Sequence, residues 1–246
     1  MKKLTIILFL FIAKMTFAQQ TDGTIVYERV QNWTRIATRL PYLSKEEKDR
    51  IANSWGNDEY KEKMLLKFSP NESNYTYEKE AGGSEDGRWS WRNEEYIIYR
   101  NFATETKTEV IEMLGKTYVV EDSLHAPKWK VMNQIKDIAG YICMKAMTED
   151  TVKKQTITAW FCGDIPVSVG PERFFGLPGA ILELDINDGD VVITATKVEF
   201  KKLEAPLKIA KLKGKKINDK QYETLIANHI KDSIKSYRNP YWAMRY

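Results

Sequence analysis

The stretch on which our interpretation of this chain depends is AWFCGDIPVSVGPERFFGLPGAILEL, residues 159–184. Its two ends carry the β-branched and aromatic residues that are typical of strands. Between them, residues 163–179 form a segment rich in glycine and proline, which we call the central loop. Loops usually cross the surface and are polar, so an apolar loop of this length is expected to be buried or to cover something apolar. We therefore expect the rest of the chain to form a scaffold around it.

The first 18 residues predict export. Lys2 and Lys3 precede an apolar run, residues 4–13, that is too short to cross a bilayer, which takes about 20 residues. Thr16-Phe17-Ala18 has the small-x-small pattern of a signal peptidase site. We predict a signal peptide over 1–18 and a mature chain that is exported and does not span a membrane.

The charge balance argues against a nucleic-acid partner. The formal net charge is +4, but Lys2, Lys3 and Lys14 lie in the predicted signal peptide, so the mature chain is nearly neutral. The lysine-rich run 208–216 contains no aromatic residue and is typical of a solvated linker. A nucleic-acid site would need a clustered basic face, which the sequence does not indicate.

Short strand-like segments separated by turn residues dominate residues 19–203. They recur about every 8–12 residues, and Asn187-Asp188-Gly189-Asp190 favours a hairpin turn. We predict a mainly β (α+β) fold with one large curved antiparallel sheet, as a barrel or half-barrel like that of lipoprotein carriers. Residues 204–246 are assigned to a linker and a C-terminal helix that packs on the same domain.

Two segments carry helix signatures. Ser44 and Glu47 have the spacing of a capping box, which predicts a helix over 45–55. A weaker capping box begins at Asn218, and apolar residues then repeat every three or four positions up to residue 236. We expect the N-terminal and the C-terminal helix to pack on the sheet.

The hexapeptide Gly176-Leu177-Pro178-Gly179-Ala180-Ile181 resembles the signature of the GLPGLI family of secreted proteins, found mostly in Bacteroidetes. The family hexapeptide ends in Leu-Ile, and here it ends in Ala-Ile. Residues 23–27, 138–146 and 159–167 also resemble family motifs. The resemblance implies an exported protein of a Gram-negative bacterium, which places the mature chain in the periplasm. It implies no chemistry, because the family has no established activity.

Cys143 and Cys162 are the two cysteines of the chain, and both fall in neighbouring predicted strands. Exported proteins usually oxidise such pairs, so we predict a structural disulfide, with two buried free thiols as the alternative. The two cysteines and two histidines do not have the spacing of a zinc site. We expect neither a metal nor a cofactor.

The central loop supplies the candidate binding residues. Pro178 fixes φ and Gly179 permits a positive φ, so the pair can make a tight turn. The loop is then either a plug that closes the end of the sheet or the lip of a cavity. As a lip, it would bind a ligand or partner through these residues: Trp160, Phe161, Phe174, Phe175, Gly176, Leu177, Pro178 and Gly179.

Three functions remain open from the sequence. The first is a non-enzymatic, carrier-like protein that holds an apolar ligand or a partner segment at the central loop. The second is an accessory subunit of an outer-membrane complex, which docks through the loop and through Trp89 and Trp91. The third is a hydrolase that uses Glu183 and Asp185, two carboxylates that lie two residues apart and face the same side of a strand.

Overall fold

The computed structural model describes residues 21–78, 95–207, 209 and 213–246. The predicted signal peptide 1–18 and the tryptophans Trp89 and Trp91 lie outside these residues. None of the helices in the described ranges is long and apolar enough to cross a membrane.

The described residues form twelve strands and three α-helices. The strands are β1 Gly23–Asn32, β2 Glu59–Phe68, β3 Glu72–Tyr77, β4 Tyr96–Asn101, β5 Thr106–Met113, β6 Lys116–Ser123, β7 Lys130–Ile138, β8 Tyr141–Asp150, β9 Gln155–Cys162, β10 Ala180–Ile186, β11 Val191–Phe200 and β12 Lys215–Ile217. The helices are α1 Trp33–Thr38, α2 Lys45–Trp55 and α3 Asp219–Lys235, followed by a 3-10 turn, Pro240–Trp242.

All twelve strands join one sheet, in the order β12-β6-β5-β4-β3-β2-β1-β11-β10-β9-β8-β7. The prediction of a mainly β fold with one large sheet is confirmed. The sheet is open, because β12 and β7 stand at its two ends, so the half-barrel alternative describes it better than a barrel. It is also mixed, since β12 runs parallel to β6, whereas the other pairs are antiparallel. Sequence reasoning had assigned β12 to the linker.

The sheet curves around the central loop. Arg100 on β4 donates hydrogen bonds to the carbonyl oxygens of Gly170, at 3.3 Å, and of Glu172. The Tyr27 hydroxyl on β1 donates to the carbonyl oxygen of Ile181 on β10, at 2.7 Å. Five strand spacings separate β4 from β10, which is about 24 Å in a flat sheet. Arg100 of β4 nevertheless contacts the loop that leads into β10, and Tyr27 of β1 contacts β10 itself. The sheet must therefore bend.

The apolar part of the central loop lies in the core. Ile165, Val169 and Leu177 are buried and belong to the same hydrophobic cluster as Ile25 and Phe68 of the sheet. Burying a side chain of this size contributes roughly 1.5–3 kcal/mol to stability. The loop therefore fills part of the space that the curved sheet encloses.

The two predicted helices are present with their predicted caps. In α2, the Ser44 side chain accepts from Glu47 N, and the Glu47 carboxylate accepts from Ser44 N. Asn218 and Gln221 make the same reciprocal pair at the start of α3. No residue of α2 is buried, and this largely polar helix packs against α1 at the periphery.

The predicted disulfide between Cys143 and Cys162 is wrong, because both residues are buried free thiols. The pairing of β8 with β9 ends at Met144 and Phe161, one position before the cysteines. The Cys143 thiol instead donates to the carbonyl oxygen of Tyr141 at 3.5 Å. Burial raises the pKa of Cys143 to about 12 and also raises the pKa of Cys162, which disfavours the reactive thiolate.

We expect a thiol titration to show this directly. The folded, unreduced protein should react slowly with a thiol reagent such as DTNB, because both thiols are buried. After unfolding in denaturant without reductant, it should release two equivalents of chromophore, and the Cys143→Ser variant should release one. No released chromophore from the unfolded parent chain would contradict the free-thiol assignment.

Candidate functional site

A cavity of about 260 Å³ opens beside the central loop, and we call it the loop cavity. Its walls come from β4, β5, the start of β9, loop residues 172–175, α3 and residues 244–246. Ile111, Met113, Phe174, Phe175 and Ile226 supply part of its apolar surface. Its volume lies near the lower end of the range for small-molecule sites, about 300–1,000 Å³.

One carboxylate of the central loop is fixed by a buried charged cluster. Glu172 is 7% exposed. Its carboxylate accepts hydrogen bonds from Arg245 Nη2, at 2.8 Å, and from the Tyr96 hydroxyl. Arg29 Nε lies 3.5 Å from the same carboxylate. Burial alone would raise the pKa of Glu172, but the charges of Arg245 and Arg29, together with hydrogen bonds from Arg245 and Tyr96, lower it to about 2. Glu172 is therefore ionised and held in place at neutral pH.

A second charged cluster joins the loop to β5 and to the first turn of α3. Glu109 is bound by Lys107 Nζ at 3.1 Å and by Arg173 Nε at 3.0 Å. Asp219 is bound by Lys107 Nζ at 2.7 Å and by Arg173 as well. Burial opposes ionisation of Glu109, but the two cations prevail and lower its pKa. The two cations and two anions neutralise one another in this wall of the cavity.

Gln155, at the start of β9, has a buried side-chain nitrogen without a partner beside the cavity wall. The residue is 3% exposed and lines the loop cavity. Its Nε2 donates to no described residue. An unpartnered buried amide costs roughly 1–3 kcal/mol. Gln155 is therefore a candidate ligand contact, since a ligand acceptor would satisfy it.

A second cavity of about 320 Å³ lies on the other side of Met244 and Arg245, and we call it the aromatic cavity. Trp33, Tyr60 and Trp242 are among its aromatic lining residues. Four residues line both cavities and separate them: Tyr96, Met113, Met244 and Arg245.

The eight predicted binding residues do not form one surface. Phe174 and Phe175 line the loop cavity, whereas Phe161 and Leu177 are buried in the core. Trp160 is half-buried beside the amines of Lys136 and Lys145, which lie 5.7 and 5.9 Å from its ring centre.

The hexapeptide forms the tight turn at the end of the loop. Gly176 and Gly179 have φ values of +90° and +148°, which glycine adopts without strain. Pro178 is exposed between the buried residues Leu177 and Gly179.

The carboxylates of the hydrolase hypothesis have structural partners. Glu183 accepts two hydrogen bonds from Lys136 Nζ, both at 2.7 Å. Asp185 accepts from the backbone N–H of Gly189 at 2.7 Å, in the hairpin turn, and burial raises its pKa. Neither lines the loop cavity or the aromatic cavity. In the described part of the chain, no three His, Cys, Asp or Glu residues are grouped as a metal site.

Comparison with known families gives one match, over residues 147–183. The matching model is described as "Protein of unknown function (Porph_ging)". This stretch includes Gln155 and the whole central loop. The match is compatible with the resemblance to the GLPGLI family, and that family's activity is equally unassigned. No curated protein matches the chain.

Two crystal forms of one solved protein show a similar fold. PNGF-II in its P21 crystal form has a TM-score of 0.55 at 15% identity, over 83% of this chain and 33% of that protein. Its C2 form has a TM-score of 0.53 at 15% identity, over 83% and 32%. An uncharacterized conserved protein from Thermus thermophilus has a TM-score of 0.40 at 6% identity, over 86% and 98%. The chain spans about a third of PNGF-II, and at this identity the likeness shows the fold alone.

Proposed function

We propose that the protein is an exported, non-enzymatic binding protein of the bacterial periplasm, with residues 1–18 as its signal peptide. Its ligand occupies the loop cavity, beside Phe174 and Phe175 of the central loop. The ligand is largely apolar and carries one hydrogen-bond acceptor. The position of the cavity against the loop supports the carrier-like interpretation of the sequence.

The observation that carries this proposal is the unpartnered amide of Gln155 in the cavity wall. Buried polar groups in native proteins nearly always have a hydrogen-bond partner. A ligand carbonyl or hydroxyl oxygen, placed against Nε2, would supply one. The amide thus indicates where the polar end of the ligand lies.

Two of the cations in the cavity wall are neutralised in ion pairs, and the Lys153 amine donates to the carbonyl oxygen of Arg245 at 2.9 Å. Lys107 and Arg173 are bound by Glu109 and Asp219, so these ion pairs offer no unpaired charge to a ligand. The apolar side chains of Met113, Phe174, Phe175 and Ile226 can contact a hydrocarbon segment. An aliphatic alcohol combines the two required features.

We expect 1-octanol to bind the parent protein and Gln155→Met to weaken this binding about five- to tenfold, because the change removes one buried hydrogen bond. Met has nearly the same length and no amide. The ligand-free variant should also be more stable by about 1 kcal/mol, since an unpartnered buried group is removed. Calorimetric titration measures the first effect and denaturant unfolding the second.

Gln31→Met is the matched control, because Gln31 is also a buried glutamine but lines the aromatic cavity. It should leave octanol binding unchanged. The proposal is contradicted if octanol does not bind, or if Gln155→Met binds octanol as the parent does. Loss of stability in Gln155→Met would mean that the amide has a structural partner.

One observation favours the alternative of an accessory subunit. β7 is an end strand of the sheet, and the β7–β8 hairpin exposes Val131, Ile135, Ile142 and Met144, with Ile135 71% exposed. An exposed apolar strand at a sheet edge is a common docking site for a partner strand. On this alternative, an outer-membrane protein would copurify with the chain from cell envelopes. The Ile135→Asp variant would not retain that protein, and octanol would not change the copurification.

A further inference from the structure

Lys153 is a cation in the wall of the loop cavity that no carboxylate neutralises. The residue lies in the turn between β8 and β9 and is partly buried. Its amine donates one hydrogen bond, to the carbonyl oxygen of Arg245 at 2.9 Å. The ion pairs that lysines form within the described ranges all involve other lysines. Because a lysine ammonium has three donors, two of them remain for a ligand.

Three further acidic residues line the cavity, and none of them is bound to the Lys153 amine. The Asp150 carboxylate accepts the backbone N–H groups of Val152 and Lys153, both at 2.9 Å, so it stabilises the turn. Glu149 and Glu223 are exposed. Water and salt screen exposed charges, so these two carboxylates do little to balance a cation inside the wall.

The two charged clusters around the cavity are each neutral, with two cations and two carboxylates. Their members are Lys107, Arg173, Glu109 and Asp219 in one, and Arg29, Arg245, Glu62 and Glu172 in the other. Arg100 is a further cation, 1% exposed, and it donates to carbonyl oxygens of the central loop rather than to a carboxylate. Burying a charge without a counter-ion is costly, so an anionic ligand group would be stabilised here.

Gln155 provides a second donor close to Lys153 in the sequence. It lies two residues further along the chain, and its Nε2 is buried without a partner. A carboxylate has two oxygens, so it can accept from an ammonium and from an amide at once. Hydrogen bonds between charged groups are roughly twice as strong as those between neutral ones. A carboxylate therefore suits this pair of donors better than a hydroxyl group does.

We propose that the ligand of the loop cavity is a carboxylic acid with an apolar chain, bound as its carboxylate by the Lys153 ammonium. The second carboxylate oxygen accepts from Gln155 Nε2, and the chain contacts Phe174, Phe175 and Ile226. A straight-chain fatty acid combines these features. The inference rests on the function proposed for this cavity and adds the chemical class of the ligand's polar end.

The parent chain should bind octanoate less tightly at high pH. Burial lowers the pKa of Lys153 to about 8. The charges of Asp150 and Glu172 favour the protonated amine, and nearby Arg173 and Arg29 oppose it. Octanoate stays ionised between pH 7 and about 9.5, whereas the amine loses its proton, so the affinity should fall at least about threefold. The affinity for 1-octanol should change by less than about twofold.

Calorimetric titration of the mature chain at pH 7 compares octanoate with 1-octanol, which has the same chain length. We expect octanoate to bind at least about tenfold more tightly. Lys153→Met keeps an apolar stem, and it should weaken octanoate binding by about tenfold or more while octanol binding stays within about twofold. Octanol binding by this variant shows that its cavity is intact. Lys154→Met is the matched control, because Lys154 is exposed in the same turn and does not line the cavity.

N-acetylleucine distinguishes two sources of a carboxylate, a fatty acid and the C-terminus of a peptide. Tighter binding of octanoate assigns the site to a fatty acid, and tighter binding of N-acetylleucine assigns it to a peptide end. Equal affinities of the parent for octanoate and 1-octanol would overturn the inference and leave the function proposed for the cavity standing, whereas no binding of either compound would contradict both. An octanoate affinity that Lys153→Met leaves unchanged, or that does not fall at high pH, would also overturn the inference.

Discussion

Replacing Glu172 by glutamine is expected to lower the free energy of unfolding by about 3–5 kcal/mol at pH 7, since removal of one partner from a buried ion pair leaves uncompensated charge. Glu172 contacts Arg29 and Arg245 and accepts a hydrogen bond from Tyr96. In the variant, Glu62 alone would face the two guanidinium groups. Denaturant unfolding measures the change. Glu199→Gln, at an exposed surface pair with Lys197, is the control and should change stability by less than about 0.5 kcal/mol.

The same contacts predict how stability depends on pH. The pKa of Glu172 is lowered from 4.5 to about 2 in the folded protein. Its contribution to stability is therefore complete above about pH 4.5 and is lost as the pH falls towards 2. Linkage gives about 3 kcal/mol for this shift. The stability difference between the parent and Glu172→Gln should shrink over this interval, and a difference that is constant from pH 7 to 2 would contradict the assignment.

Gly179→Ala should have a comparably large effect, a loss of about 3 kcal/mol or more. A Cβ atom at this position would lie 2.0 Å from the carbonyl oxygen of Cys162, and φ is +148°. The atom it meets is backbone, so a change of rotamer cannot relieve the overlap. The turn would have to move, and Leu177 would leave the core with it. Denaturant unfolding again provides the measurement.

Gly163→Ala is the matched control at the other end of the central loop. A Cβ atom there would meet nothing within 4 Å, and its φ lies outside the range that favours glycine. We expect this variant to remain within about 0.5 kcal/mol of the parent. Equal stabilities of the two variants would contradict the close approach at Gly179 and the role of the turn in placing the loop.

Local signals predicted the elements of the fold well. The capping residues Ser44 and Asn218 begin helices where the sequence placed them, because capping depends on groups three residues apart. The Asp188-Gly189 turn joins β10 and β11 for a similarly local reason. The short strand β12 was missed, since three residues give no periodicity and its partner β6 lies far away in the sequence.

The site depends on contacts that sequence spacing does not reveal. Arg245 meets Glu172 across 73 residues, and Arg100 meets Gly170 across 70. Both contacts exist because the sheet curves, and the alternation of polar and apolar residues does not reveal that curvature. Gln155 gave no signal, because a glutamine at the start of a strand is usually exposed. The placement of the two cysteines in neighbouring strands gave a misleading signal, since that placement does not ensure that two thiols form a disulfide.

The most direct test of the central claim, that the loop cavity beside residues 163–179 is a binding site, is an NMR titration of the ¹⁵N-labelled mature chain with 1-octanol. The account predicts that the side-chain amide signals of Gln155 shift in a saturable manner, together with the backbone signals of Phe174 and Phe175. The amide signals of Gln31 should stay in place. Saturable shifts confined to other parts of the protein, or no shift of the Gln155 amide, would contradict it.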